Sequence, residues 1–174
     1  MATSDGQISQ RESWKLRENS AKRAIEDRGF TVHDANVLFR ENCPNIDLVV
    51  FGKAGAVYVQ VKSSSNAATK DGVLVDGSPW TEEQLFSNAP IYNKHSSRFQ
   101  ASLVIIVDVL ISGEFDFYVA PPKEIERLVL KRGRALIAKP KRNGERRKMF
   151  RKEVPRTDLA PWRQAWSLFG ERGI

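Results

Sequence analysis

Asn45-Ile46-Asp47-Leu48-Val49-Val50-Phe51, then Gly52 to Gly55, then Ala56-Val57-Tyr58-Val59-Gln60-Val61-Lys62 is the stretch that decides the reading of this chain. Two apolar runs joined by a glycine-flanked turn predict a β-hairpin. Side chains alternate along a strand, so Tyr58, Gln60 and Lys62 share one face while Val57, Val59 and Val61 take the other. A carboxamide and an ammonium two residues apart on an apolar strand are unusual. Asp47, embedded in the preceding run, lies on the neighbouring strand within reach of both. Taken singly, each residue also fits a face exposed to water. Together, an acid, a side-chain oxygen and a backbone carbonyl suit a hard divalent cation such as Mg²⁺. A lysine beside such an ion can orient a water, while the ion polarises a phosphate. His33 and His95 are the only histidines, which excludes a histidine-rich metal site.

Working outward, Gln10 to Arg28 reads as a helix. Ser9 and Glu12 have capping-box spacing, and Gly29 stands at the stop. Its apolar stripe runs through Trp14, Ala21 and Ile25, and Glu18 falls on that stripe, where a carboxylate is costly unless something rewards it. Phe30–His33 and Val37–Phe39 are short strand candidates. Residues 63–100 carry little periodicity beyond a short helix after Thr81, and so long a connection suggests a mobile functional loop. Trp80 and Tyr92 within it are available either to stack bases or to pack beneath the loop. Leu103–Leu110, apolar on both faces, predicts a central strand, with a further strand at Phe115–Val119. Pro121-Pro122 opens a helix to about Leu130. A C-terminal helix over about 159–169 places Trp162, Ala165, Trp166 and Phe169 on one docking face, and Gly170 ends it. The expected fold is α/β or α+β: a single mixed central β-sheet flanked by helices, forming one domain across residues 1–174.

Composition narrows the class. The 174 residues are 41% hydrophobic with four Trp and nine Phe, which predicts a packed core. Cys43 is the sole cysteine, so there is no disulfide framework. The longest apolar run, Leu103–Val107, is too short for a bilayer, and Met1–Arg11 has no apolar segment of a secretory signal; a cytoplasmic protein with no membrane partner is expected. The formal net charge is +7, unevenly spread. Residues 131–152 hold eleven Lys and Arg against Glu145 alone, a net +10, whereas the remainder carries −3. Such a segment favours a polyanion, because each neutralised phosphate releases counterions; a solvated surface hairpin or an anionic-membrane patch is the plainer alternative.

At this point the chain resembles the PD-(D/E)XK nuclease superfamily, with its restriction endonuclease-like fold. Ile46-Asp47 followed by Gln60-Val61-Lys62 is similar to that family's active-site signature. Glu18, Ala21, Ile25 and Gly29 follow the helix pattern of small members such as Holliday junction resolvases. Gln60 replaces the usual acid, as in Mrr-type restriction enzymes, which removes one negative charge and weakens metal binding. The resemblance implies that Asp47, the Gln60 side-chain oxygen and the Val61 backbone carbonyl bind the metal. It implies that Lys62 positions the nucleophilic water, and that Glu18 acts from the helix through water or a second metal. The implied activity is that of a Mg²⁺-dependent deoxyribonuclease, more an endonuclease than an exonuclease, with Mn²⁺ able to substitute. The implied partner is DNA, RNA being indistinguishable by any residue here, and a homodimer would suit cutting of both strands. Lys94, Arg98, Lys141, Arg142, Arg146, Arg147 and Lys148 are the expected phosphate contacts. The alternative is a nuclease-fold module whose site has decayed and which binds nucleic acid or a protein.

Overall fold

The computed structural model describes residues 10–53, 55–63, 72–87, 89–110, 112–139, 144–145 and 149–171. Helix α1 (Gln10–Glu26) leads through Gly29, which sits in the left-handed region at φ 87°, into β1 (Thr31–Asp34). The hairpin β2 (Leu48–Gly52) and β3 (Gly55–Ser63) follows, antiparallel and in register Leu48 to Val59. Strands β1 and β2 are also antiparallel.

The segment Ala35–Phe39, expected to hold a strand, is helix α2. Asp34 decides this: its side chain accepts from the Val37 N–H at 3.0 Å, an N-cap that starts a helical turn at once. The predicted loop 63–100 also needs correction, since it contains β4 (Gly72–Thr81); the short helix expected after Thr81 is α3 (Glu82–Phe86). Register shifts on either side of Asp76 break the alternation of β4, and its partner strand lies far away in sequence. Thr81 and Gln84 form the capping box of α3.

Strands β5 (Leu103–Val109) and β6 (Phe115–Ala120) complete a five-stranded mixed sheet of order β1-β2-β3-β5-β6, in which only β3 and β5 are parallel. Helix α4 (Pro122–Ile137) runs seven residues past its expected end. Gly133 lets it do so at close quarters, because a Cβ there would stand 2.7 Å from Leu85 Cδ1 of α3. Strand β7 (Met149–Pro155) then pairs with β4 in a two-stranded ribbon beside the main sheet, a second sheet that the sequence did not announce.

In place of a continuous C-terminal helix there are α5 (Arg156–Leu159), a 3₁₀ turn (Ala160–Trp162) and α6 (Ser167–Glu171), which includes Gly170. The chain unwinds to bind buried Asp116. Arg163 Nε donates to it at 2.7 Å and Gln164 Nε2 at 3.0 Å, with Gln164 left-handed at φ 53°.

The main sheet has an apolar layer on each face. On one, Val57, Val59, Val61, Leu103 and Ile105 pack against Ala21 and Ile25 of α1 and against Trp166 and Phe169. On the other, Val104 and Ile106 pack with Val73, Val75 and Trp80 of β4, Ile125 and Val129 of α4, and Phe150 and Val154 of β7. A smaller cluster of Ala35, Cys43, Ile46, Val49 and Phe99 lies under the loop before β2. Each layer is large enough for burial to be its main stabilising term. No helix among the described residues is long and apolar enough to cross a membrane.

Candidate active site

Strand β2 begins only at Leu48, so beyond that point β3 runs on without a partner on that side. Asp47 fills the space. Its N–H donates to Val59 O at 2.8 Å, and its carboxylate Oδ2 accepts from Val61 N–H at 2.7 Å. A strand residue sends its N–H and C=O to the same side, so the Val61 carbonyl leaves on the edge where Asp47 lies. Burial pushes the Asp47 carboxyl up; the Val61 N–H and the Lys62 charge oppose this, and Asp34 adds to it.

Gln60 and Lys62 register with Val104 and Ile106 of β5, on the face turned towards β4 and β7. Gln60 is 7% exposed, and its Oε1 is a buried oxygen with no hydrogen-bond partner among the described residues. An orphaned amide oxygen costs free energy on the order of 1–3 kcal/mol, and this one remains available to accept from water or to meet a cation. It lines a small cavity of about 90 Å³ together with Lys62, Asn45, Asn93, Lys94 and His95.

Glu18 approaches from α1, half-buried, while Arg17 of the same turn donates to Ser63 Oγ at the end of β3. Burial, then the charges of Asp47 and Asp34, raise the Glu18 carboxyl from 4.5 to about 7. Glu18, Asp34 and Asp47 therefore feel one another's charge at one end of the sheet. The role of Asp34 escaped the sequence reading, because an acid between two short elements looks like an ordinary turn residue.

Lys62 and Lys94 give the cavity two cations, and Lys94 ties it to the β4–β7 ribbon behind it. Lys152 of β7 is 2% exposed, its Nζ 2.8 Å from Asp76 Oδ2 and 2.8 Å from Ser78 Oγ, and 5.4 Å from the Trp80 ring centre. Lys94 Nζ shares the same Asp76 oxygen at 3.0 Å. Burial pushes the Asp76 carboxyl up, but hydrogen bonds from Lys152 and Lys94 outweigh it and hold it at about 2. Burial lowers the Lys152 pKa; Asp76 opposes that shift, while the charges of Lys94 and Lys62 add to it. The loop carrying Lys94 is clamped by Asn45, whose Nδ2 donates to His95 O at 2.8 Å and whose Oδ1 accepts from His95 N–H at 3.1 Å. Asn93 secures its other side through Ala101, at 2.7 and 3.0 Å.

Some expected contacts fall elsewhere. Arg98 is bound to Glu41 at 2.8 Å and stacks 4.7 Å over Phe99, outside the cavity lining. Trp80 and Tyr92 are buried in the core and are not base-stacking surfaces; the Tyr92 hydroxyl donates to Val75 O. The basic segment 131–152 is no uniform solvated stripe, since its first part is helix and Lys152 is buried. Lys141, Arg142, Arg146, Arg147 and Lys148 lie outside the described residues, as do Ser9 and the Trp14 side chain. The signal for Lys152 was present: Phe150, Lys152 and Val154 alternate inward, the pattern that singled out Gln60 and Lys62.

An unpartnered amide oxygen, Lys62 and Lys94 thus lie beside the central strand β3 where β2 stops short, with Asp47 bound to β3 at that point. The fold is similar to that of a bacterial homing endonuclease. The two chains are 19% identical with a TM-score of 0.50, and the likeness covers 96% of this chain and 95% of that one. No protein-family model matches the chain, and no curated protein matches it.

Proposed function

We propose that this protein is a Mg²⁺-dependent deoxyribonuclease of the PD-(D/E)XK kind, cutting phosphodiester bonds within DNA. The observation that carries the reading is the orphaned Gln60 Oε1, buried beside Lys62 on the strand that Asp47 flanks. Hard oxygen donors fit Mg²⁺, and Mn²⁺ accepts the same set. Asp47, Gln60 Oε1 and the Val61 carbonyl would hold the ion, with Glu18 reaching it through water. When bound, Mg²⁺ supplies Lewis acidity towards the phosphate and lowers the pKa of water. Lys62 orients the attacking water and offsets its growing negative charge. The Val61 N–H fixes the Asp47 carboxylate, so its geometry is set before substrate arrives. Lys94, anchored by Asp76, gives the cavity a positive wall for a phosphodiester. DNA as substrate is supported by the homing endonuclease of similar fold.

A second reading, a nuclease-fold module that binds without cutting, is favoured by one feature. Among the described residues, no three His, Cys, Asp or Glu side chains converge as a metal cluster. Plasmid and oligonucleotide cleavage with Mg²⁺, Mn²⁺ or EDTA distinguishes the two. The wild type should cut with either metal and stop in EDTA. Asp47→Ala should lose both cleavage and metal binding, whereas Lys62→Ala should lose cleavage alone. Wild-type rates from both variants would place the chemistry elsewhere, and DNA binding without cleavage would establish the second reading.

A further inference from the structure

Helix α4 presents a second basic surface, apart from the lysines of the cavity. Lys123, Arg127 and Lys131 are spaced i, i+4, i+8 on one exposed face and line an open groove of about 690 Å³. At 1.5 Å per residue they span about 12 Å along the helix, the axial rise of three to four phosphates on one DNA strand. Arg127 meets Glu124 at 3.0 Å and Lys131 meets Asp158 at 3.9 Å, but both cations are largely exposed, and such screened pairs exchange readily for phosphate. Glu126, the acid within the groove, is committed to the backbone: its Oε1 accepts from the N–H groups of Ile91 and Tyr92, at 2.8 and 3.1 Å. Those bonds fasten α4 to the loop that lines the cavity. Ala89 borders the groove and Ile91 borders the cavity, two residues apart and so no more than about 7 Å between Cα atoms.

We propose that the α4 groove is the track for the phosphate backbone of duplex DNA flanking the cavity, with Lys123, Arg127 and Lys131 meeting successive phosphates. The identity of the cavity as the cutting site rests on the nuclease reading; the track itself needs only a duplex polyanion. The test is fluorescence anisotropy with a labelled duplex of about 30 base pairs, in EDTA, over a range of salt concentrations. It compares the wild type with the triple variant Lys123→Gln, Arg127→Gln, Lys131→Gln and with the control Lys22→Gln, Arg23→Gln on α1. Glutamine keeps helix propensity, and thermal melting verifies that each variant is folded.

The triple variant should flatten the slope of log affinity against log salt by about two to three, near 0.9 per contact. It should also bind at least about tenfold more weakly at 0.1 M salt, by the same relation. The control should leave the wild-type slope, whereas a loss of about 1.8 would follow if its two charges counted as the three on α4 do. A folded triple variant with wild-type slope and affinity overturns the track, as does an equal fall per charge removed in the control. Parallel cleavage assays keep the two claims apart: a flattened slope in a protein that never cuts supports the track and rejects the nuclease, and cleavage with an unchanged slope does the reverse.

Discussion

Gln60 holds a neutral oxygen where an acid would bind a cation more strongly, and this makes it the most informative single position. Gln60→Glu adds charge to the ligand set and should lower the Mg²⁺ concentration giving half-maximal cleavage, while Gln60→Ala should raise it. A metal titration of rate reads both, and one midpoint shared by all three proteins would remove Gln60 from the ligands. Glu18 yields a different measurement on metal-free protein. Its carboxyl titrates at about 7 in the fold, above its ordinary value of 4.5, because of burial and then the charges of Asp47 and Asp34. Between those values the native state holds more protons than the unfolded state, so stability falls as pH rises. Below pH 4.5 both states are protonated and there is no loss. In EDTA, Glu18→Gln should therefore melt higher than wild type at pH 8, by about 1 kcal/mol once its half-exposed position is allowed for. The advantage should vanish towards pH 4. Equal melting temperatures throughout would mean that the crowding of acids is relieved in some other way. The helical stripe made Glu18 legible from sequence, but not its company, since Asp34 reaches the cluster only through sheet pairing with Leu48.

Among the elements, the β4–β7 ribbon touches the site through the Asp76–Lys94 ion pair and was the least visible beforehand. The hairpin β2–β3 could be read because its partners are neighbours in sequence and its alternation is unbroken. Strand β4 could not: bulges around Asp76 disrupt its period, and it pairs with residues near the other end of the chain. Helix α2 was misread because its brief apolar run fits either a strand or a helical turn, and only the Asp34 cap decides. Inside the ribbon, Asp76 serves two lysines, one of them buried. Asp76→Ala should cost about 3 kcal/mol or more, because it leaves the Lys152 ammonium buried without its counter-charge. Lys152→Met should cost less, since Asp76 retains Lys94 and the methionine fills the same apolar space. Urea unfolding ranks the two, and the reverse order would show that the pair does not act as supposed. With its carboxyl held at about 2, Asp76 contributes stability in full above its ordinary value of 3.8 and loses it as pH falls through 2.

Over the whole molecule, the hairpin and the ribbon differ in how far apart their partners lie. Leu48 meets Val59 across a short turn, whereas Gly72 waits for Pro155 and Thr81 for Met149, separations of 68 to 83 residues. Contacts between distant residues carry a loop-closure cost and form late. A chain stopped after Lys148 should hold β4 without its partner, leaving Val73, Val75 and Trp80 beside an unpaired strand edge. It should precipitate or bind a hydrophobic dye, and a soluble, cooperatively melting fragment would contradict this. Strand separation also sets an order of assembly during synthesis. Asp47 and Gln60 lie within the first 63 residues, but Lys152 and the brace it gives Asp76 come only with β7. On the ribosome, Asp47 and Gln60 therefore emerge long before the buried lysine that pairs with Asp76, and the ribbon that anchors Lys94 through Asp76 closes only when translation has nearly finished.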